Sequence, residues 1–124
     1  MPTISFASSK GGAGKSTSAV LLGTELAERG ATVTIIDADP NQPVARWGKK
    51  PGRPEQLTVI SAVTEETLLD AIDDAAGKTV FVIVDLEGTA SLMVVLPAGC
   101  VIIPGVMKSQ KRREWMVTLV CQPR

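Results

Sequence analysis

Short apolar runs along the chain alternate with longer stretches in which apolar residues recur about every three or four positions. A short run bounded by glycine, proline or aspartate is typical of a strand buried inside a parallel sheet. Such runs occur in TISFAS, ATVTIIDADP, LTVISA, TVFVIVD and GCVIIPG. The run VFVIV is apolar at every position and therefore predicts a central strand that helices cover on both faces.

The longer stretches predict helices. In KSTSAVLLGTELAERG, apolar residues at helical spacing end at Gly30, which suits a helix C-terminus. In TEETLLDAIDDAAGK, Thr64 is placed as the N-cap and Gly77 as the terminator. The segment NQPVARWGKKPGRPEQ is rich in proline and glycine, so it predicts a loop with at most one helical turn near Val44 to Trp47.

Strands that alternate with helices predict an α/β fold with a mostly parallel sheet of about five strands in a three-layer sandwich. Ligands of such sheets bind beyond the carboxyl ends of the strands. Several polar residues fall at such ends, namely the stretch after Ser8, the pair Asp37 and Asp39, and Asp85. The pattern therefore predicts a ligand site at one edge of the sheet.

The composition limits the catalytic chemistry, the metal sites and the binding partners that the chain can have. The chain has 13 basic and 13 acidic residues, so no overall field draws it to nucleic acid or to a membrane. It has no histidine and no tyrosine, which excludes Ser-His-Asp catalysis and zinc bound by histidine. Cys100 and Cys121 fit no metal spacing and the first residues lack a secretory signal, which favours the cytoplasm. No apolar run approaches the roughly 20 residues of a membrane span, so an integral membrane protein is not expected.

The stretch SSKGGAGKST predicts a phosphate-binding loop. A glycine-rich turn between a strand and a helix directs backbone N–H groups and the helix dipole at one spot, which suits phosphate oxygens. Lys15 is placed to reach the β and γ phosphates, the Ser16 hydroxyl to ligate Mg²⁺, and Thr17 to contact the α phosphate. The predicted nucleotide-binding residues are Gly11, Gly12, Ala13, Gly14, Lys15, Ser16 and Thr17.

Two other interpretations of this stretch are possible. A strand-to-helix turn can be rich in glycine without binding a ligand, although the Lys-Ser-Thr sequence then has no explanation. A dinucleotide site is suggested by Asp37 at the end of the second strand, but G-x-G-x-x-G counted from Gly12 requires glycine where Thr17 stands. A mononucleotide site is therefore favoured.

KGGAGKST resembles the deviant Walker A motif of the ParA/MinD family of P-loop ATPases, which requires a signature lysine at the position of Lys10 and places no demand on Ser9. The resemblance implies a P-loop NTPase-like fold that uses ATP and Mg²⁺. It also implies an ATP-dependent homodimer in which Lys10 contacts the phosphates bound by the partner subunit. There Lys10 would neutralise developing charge in trans, much as an arginine finger does.

Two acidic segments extend the resemblance. TIIDADPNQP is similar to the family's D-x-D-P signature, which implies that Asp37 holds Mg²⁺ or its waters and that Asp39 orients the attacking water. VFVIVDLEG has the form of a Walker B motif with Asp85 next to the metal. A lone acid after a strand is also often a cap for the next turn, which stays open for Asp39. The implied catalytic residues are Lys10, Lys15 and Asp39, and the implied metal ligands are Ser16, Asp37 and Asp85.

The resemblance fades after VIIP, which divides the chain into a P-loop ATPase domain over 1–104, truncated relative to the family, and a divergent basic tail over 105–124. We expect the tail to form a helix from Ser109 with one apolar face and a basic start. Such a helix can contact DNA phosphates or a membrane, or pack on the sheet. The residues of this predicted helix are Lys111, Arg112, Arg113, Trp115, Met116, Leu119 and Val120.

These features favour a Mg²⁺-dependent ParA-type ATPase that partitions plasmid DNA through an ATP-dependent dimer switch. The resemblance implies an adaptor protein of ParB type and nonspecific DNA as partners, no membrane, and a cytoplasmic location on the nucleoid or plasmid. Two alternatives stay open. One is a truncated nucleotide-binding domain without effective hydrolysis, and the other is a small P-loop kinase, for which no acceptor-binding lid of arginines is evident.

Overall fold

The computed structural model describes residues 3–6, 15–61, 63–86, 100–109 and 112–121. Within these residues, helices and strands alternate from the first strand to the fourth, and two strands follow. The strands are β1 (Thr3–Phe6), β2 (Val33–Asp37), β3 (Leu57–Ile60), β4 (Phe81–Asp85), β5 (Cys100–Ser109) and β6 (Arg112–Cys121). The helices are α1 (Lys15–Glu28), α2 (Pro43–Gly48) and α3 (Glu65–Ala76).

The described strands form one six-stranded sheet in the order β3-β2-β4-β1-β5-β6. The pairings from β3 across to β5 are all parallel, and β6 pairs with β5 antiparallel. The predicted mostly parallel α/β sheet is therefore confirmed. Its fourth strand lies inside the sheet between β2 and β1, and residues 82–85 of that strand are buried, as its continuous apolar run predicted.

Helices cover both faces of the sheet. Ile35 and Ile83 share a buried cluster with Ala19 of α1 and Val44 of α2. On the opposite face, the next residues along β2 and β4 pack against α3 in a second cluster. Because successive side chains of a strand point to opposite faces, the last residues of β2 and β4, Asp37 and Asp85, point to the face that α1 and α2 cover.

The predicted helix ends are confirmed. After α1 the chain turns at Gly30, whose φ of 95° lies in the left-handed region. Its N–H donates to the Ala27 carbonyl at 3.0 Å and the Ala31 N–H to the Leu26 carbonyl at 3.1 Å, which is the Schellman arrangement. The third helix begins after the N-cap Thr64. Across the described ranges, none of the helices combines the length and apolar character of a membrane span.

The expected helix in the tail is wrong. Residues 112–121 form β6, which pairs with β5 from Ser109↔Arg112 to Cys100↔Cys121. The sequence REWMVTLVC is rich in β-branched and aromatic residues, which favour strands, and its apolar positions fit a strand as well as a short helix. The neighbouring β5 supplies a partner strand, and pairing with it decides between the two.

Candidate functional site

Three parallel strands end side by side at one edge of the sheet. In the strand register, Asp85 of β4 lies opposite Phe6 of β1 on one side and opposite Asp37 of β2 on the other. The glycine-rich stretch follows Phe6 within a few residues. The sheet therefore brings the predicted phosphate loop and the two predicted acidic strand ends to one place, where ligands of parallel α/β sheets bind.

A short hydrogen bond links the first turn of α1 to the end of β4. The Ser16 hydroxyl donates to Asp85 Oδ2 at 2.6 Å, across 69 residues of sequence. The Asp85 side chain is fully buried, and hydrogen bonds to a carboxylate are shorter and stronger than those between neutral groups. The fold thus fixes next to each other two oxygen ligands that the sequence predicted for Mg²⁺.

Asp37, the third predicted metal ligand, is also fully buried and accepts a backbone hydrogen bond at each carboxylate oxygen. Oδ1 accepts from the Asp39 N–H at 3.1 Å, and Oδ2 accepts from the Ala45 N–H of α2 at 2.9 Å. Sequence reasoning missed Ala45, because no local spacing rule connects a carboxylate to a backbone donor eight residues later. The carboxylate therefore ties the end of β2 to the start of the next helix.

Asp39 accepts hydrogen bonds from residues of the loop that follows it. Its Oδ1 accepts the Asn41 N–H at 2.9 Å in an Asx turn, and its carbonyl accepts both the Gln42 N–H and the Gln42 side-chain amide at 3.0 Å. Gln42 has φ 54° and ψ 46°, a left-handed conformation that few residues other than glycine adopt. The capping role that the sequence left open for Asp39 is thus present, and its role in orienting water stays a prediction.

The oxygen atoms at this edge fit Mg²⁺ bound together with phosphates. Within the described ranges, no group of three or more His, Cys, Asp or Glu side chains is placed to hold a metal ion. Magnesium, however, is usually held by one or two carboxylates together with substrate phosphates and water. Asp37 and Asp85 lie on one face at paired positions, and buried charges of this kind are normally offset by an opposite charge or a metal.

The remaining predicted site residues are placed only in part. Lys10, Gly11, Gly12, Ala13 and Gly14 lie outside the described residues, and so does the side chain of Lys15, whose backbone begins α1. Thr17 is exposed in the first turn of that helix. The roles of all these residues remain predictions. The described part of the predicted site consists of Ser16, Thr17, Asp37, Asp39 and Asp85.

The mostly parallel sheet, the glycine-rich sequence before α1 and the oxygen ligands beside it define a nucleotide-binding domain of the P-loop NTPase class. The chain belongs to the CobQ/CobB/MinD/ParA nucleotide binding domain family, which it matches over residues 4–113. The match runs past position 104 and β5 spans the same position, while the division into a domain and a tail stays a prediction.

Three curated relatives show which branch of the family the chain resembles. It is 49% identical to Protein ParA of Rhizobium radiobacter over 107 residues, which are 84% of this chain and 48% of that protein. It is 33% identical to Protein virC1 of Rhizobium rhizogenes over 91 residues, 64% of this chain and 39% of the relative. It is 38% identical to the maintenance of carboxysome distribution protein A of Synechococcus elongatus over 73 residues, 59% of this chain and 28% of the relative. The chain therefore spans about half the length of these relatives, or less.

Proposed function

We propose that the chain is the phosphate- and magnesium-binding part of a ParA-type ATPase. The observation that carries this proposal is the 2.6 Å hydrogen bond between Ser16 and the buried Asp85, at the edge of the sheet where the glycine-rich stretch follows β1. The 49% identity with Protein ParA over 84% of this chain supports ATP as the nucleotide. Mg²⁺ is supported by the oxygen ligands at this edge.

In this proposal the triphosphate lies on the backbone N–H groups of residues 11–14, and Lys15 reaches the β and γ phosphates. Ser16 and Asp85 hold Mg²⁺, which neutralises charge on the β and γ phosphates when it is bound. Asp39 orients a water molecule in line with the γ phosphorus. The oxygen of that water bonds to the γ phosphorus as the bond from the phosphorus to the bridging oxygen breaks, which yields ADP, inorganic phosphate and a proton. Lys15 together with Lys10 stabilises the charge that develops.

The biological role we propose is partition of plasmid DNA by a switch between an ATP-bound dimer and a released monomer. It is supported by the likeness to Protein ParA and by the deviant phosphate-loop sequence, in which Lys10 is the residue that would act across the dimer. An adaptor protein of ParB type and nonspecific DNA are the proposed partners. The proposed location is the nucleoid or the plasmid in the cytoplasm.

The binding step is tested by calorimetry of ATP with Mg²⁺ and with EDTA. Wild-type chain should bind ATP more tightly with Mg²⁺, and Ser16→Ala should lose that difference because the hydroxyl ligand is gone. Ser18→Ala, which alters a neighbouring serine of α1 outside the predicted site, should keep the difference. Equal affinity of the wild-type chain with and without Mg²⁺ would contradict the proposal.

A second candidate function is nucleotide binding without turnover by this chain on its own. It is favoured by the extent of the match, which spans 48% of Protein ParA. Phosphate release and sedimentation with ATP and Mg²⁺, with and without DNA, distinguish the two. Hydrolysis stimulated by DNA, together with a dimer that Lys10→Ala abolishes, supports the full ATPase cycle, whereas tight binding without release supports the second candidate.

A further inference from the structure

The carboxylate of Asp37 holds two separate pieces of backbone. Its side chain is fully buried, and its two oxygens accept the N–H groups of Asp39 and Ala45 at 3.1 Å and 2.9 Å. One donor belongs to the loop after β2 and the other to the first turn of α2. A single side chain therefore fixes the geometry of the loop and the starting point of the helix together.

The second helix needs this support from outside. It has six residues, too few to be stable by its own hydrogen bonds, and it follows Gln42 in a left-handed conformation that costs of order 1–3 kcal/mol. In the described structure the Gln42 side chain makes no cap bond to the helix, while the Ala45 N–H in the first turn donates to Asp37. The carboxylate thus satisfies a backbone donor that α2 leaves without an intrahelical acceptor.

The same contacts connect α2 to the proposed reaction site. The Ala38 N–H donates to the Asp85 carbonyl at 2.9 Å, so the loop is attached to the strand end that carries the proposed magnesium ligand. Between these two attachments lies Asp39, whose backbone N–H is one of the two donors to Asp37. A change at Asp37 would therefore move Asp39 without removing any group that contacts ATP.

We propose that Asp37 is a positioning residue, which places Asp39 and the start of α2, and that it does not ligate Mg²⁺ directly. Each of its two oxygens accepts a backbone N–H, one from the loop and one from α2, whereas Asp85 is the carboxylate that contacts the other predicted ligand, Ser16. The consequence for hydrolysis rests on the proposed function above. The consequence for the loop and for α2 is independent of it.

The test compares Asp37→Asn with Asp85→Asn in the full chain. An amide side chain at 37 accepts through one oxygen only, so we expect amide hydrogen exchange of Asp39 or Ala45, followed by NMR, to become about tenfold faster or more. ATP affinity should keep its Mg²⁺ dependence within about threefold in Asp37→Asn and lose it in Asp85→Asn, since ligand-shell changes alter metal affinity by about 10–100-fold. Hydrolysis in Asp37→Asn should fall about 10²-fold because Asp39 is displaced.

A second variant, Ala45→Pro, removes the backbone donor and leaves the carboxylate intact, in the first turn of α2, where no intrahelical hydrogen bond is lost. It should retain Mg²⁺-dependent ATP affinity. It should also change the fluorescence of Trp47, which packs from α2 against the core, when Trp115→Phe removes the other tryptophan. This variant decides the question if Asp37→Asn fails to fold.

Loss of Mg²⁺ dependence in Asp37→Asn, or unchanged exchange at both amides, would overturn the assignment. If the wild-type chain shows no Mg²⁺-dependent ATP affinity, the proposed function fails, and the exchange rates of Asp39 and Ala45 alone then decide the role of Asp37. In that case, exchange that is faster in Asp37→Asn than in the wild-type chain at either amide supports the role of Asp37 in placing the loop and α2. Exchange at both amides that is as slow in Asp37→Asn as in the wild-type chain rejects that role.

Discussion

Buried or half-buried polar side chains lie near both ends of β2 and β4, and the two ends differ in charge. Near the amino ends, the Thr34 and Thr79 hydroxyls lie 3.0 Å apart, and the Thr79 oxygen is also 3.0 Å from the Ala75 carbonyl. At the carboxyl ends, Asp37 and Asp85 lie opposite each other in the strand register, both fully buried. The first pair is neutral and the second consists of carboxylates.

The difference distinguishes a structural contact from the proposed ligand site. Neutral hydroxyls satisfy each other and nearby carbonyls, so burial of Thr34 needs nothing from outside the protein. Asp85 accepts the Ser16 hydroxyl and Asp37 accepts two backbone N–H groups, and this acidic pair lies at the carboxyl ends of parallel strands, where ligands of such sheets bind. The carboxyl ends of the strands are therefore where we propose that Mg²⁺ and phosphate bind.

The largest effect on ligand affinity is expected from Asp85→Asn, at the carboxyl ends of the strands. Affinity for ATP with Mg²⁺ should fall about 100-fold, because the metal loses a carboxylate ligand. The free energy of unfolding without nucleotide is measured in the same variant, in which an asparagine of nearly the same size can still accept the Ser16 hydroxyl through its amide oxygen. Calorimetry and urea denaturation measure the two quantities, with the exposed Asp70→Asn as the matched control. A loss of stability with unchanged Mg²⁺ dependence would make Asp85 a structural residue like Thr34.

A smaller effect of the opposite kind is expected at the amino ends. Thr79→Val removes the hydroxyl that lies 3.0 Å from both Thr34 and the Ala75 carbonyl, and should lower the free energy of unfolding by about 1–2 kcal/mol. ATP affinity should be unchanged. Thr58→Val, at an exposed position of β3, should shift stability by less than about 0.5 kcal/mol in the same urea titration. Equal losses in both variants would show that the hydroxyl pair is of no special importance.

The sequence predicted best what is encoded locally. The end of α1 at Gly30 and the N-cap Thr64 were visible because their signals lie within one helical turn. Ser16 and Asp85 could be expected to meet because the order of strand, loop and helix places both at the carboxyl edge of the sheet. The hydrogen bond from the Ala45 N–H to Asp37 could not be predicted from the sequence, since it depends on how the short helix α2 packs against the sheet.

The tail shows a second reason why a prediction from the sequence was wrong. Residues 112–121 have an apolar pattern that suits a helix or a strand, and pairing with β5 decided for the strand. Local propensity could not choose between them, because the partner strand lies on a separate segment. Elements that depend on one neighbour are thus the hardest to predict from sequence, both at the site and in the sheet.

The smallest expected effect concerns charges that remain in solvent. Lys78 pairs with Asp74 at 2.9 Å, with side chains 71% and 62% exposed, so Lys78→Ala should lower stability by only about 0.3–0.5 kcal/mol. Arg29→Ala is the matched variant, because Arg29 pairs with Glu25 at 2.8 Å with the same spacing and similar exposure on α1. Both effects should disappear in about 1 M salt, where the Debye length is near 3 Å. A decrease in the free energy of unfolding above about 1 kcal/mol that persists in salt would mean that charged pairs also matter outside the buried carboxyl ends of the strands. The contrast between the two ends would then not depend on charge alone.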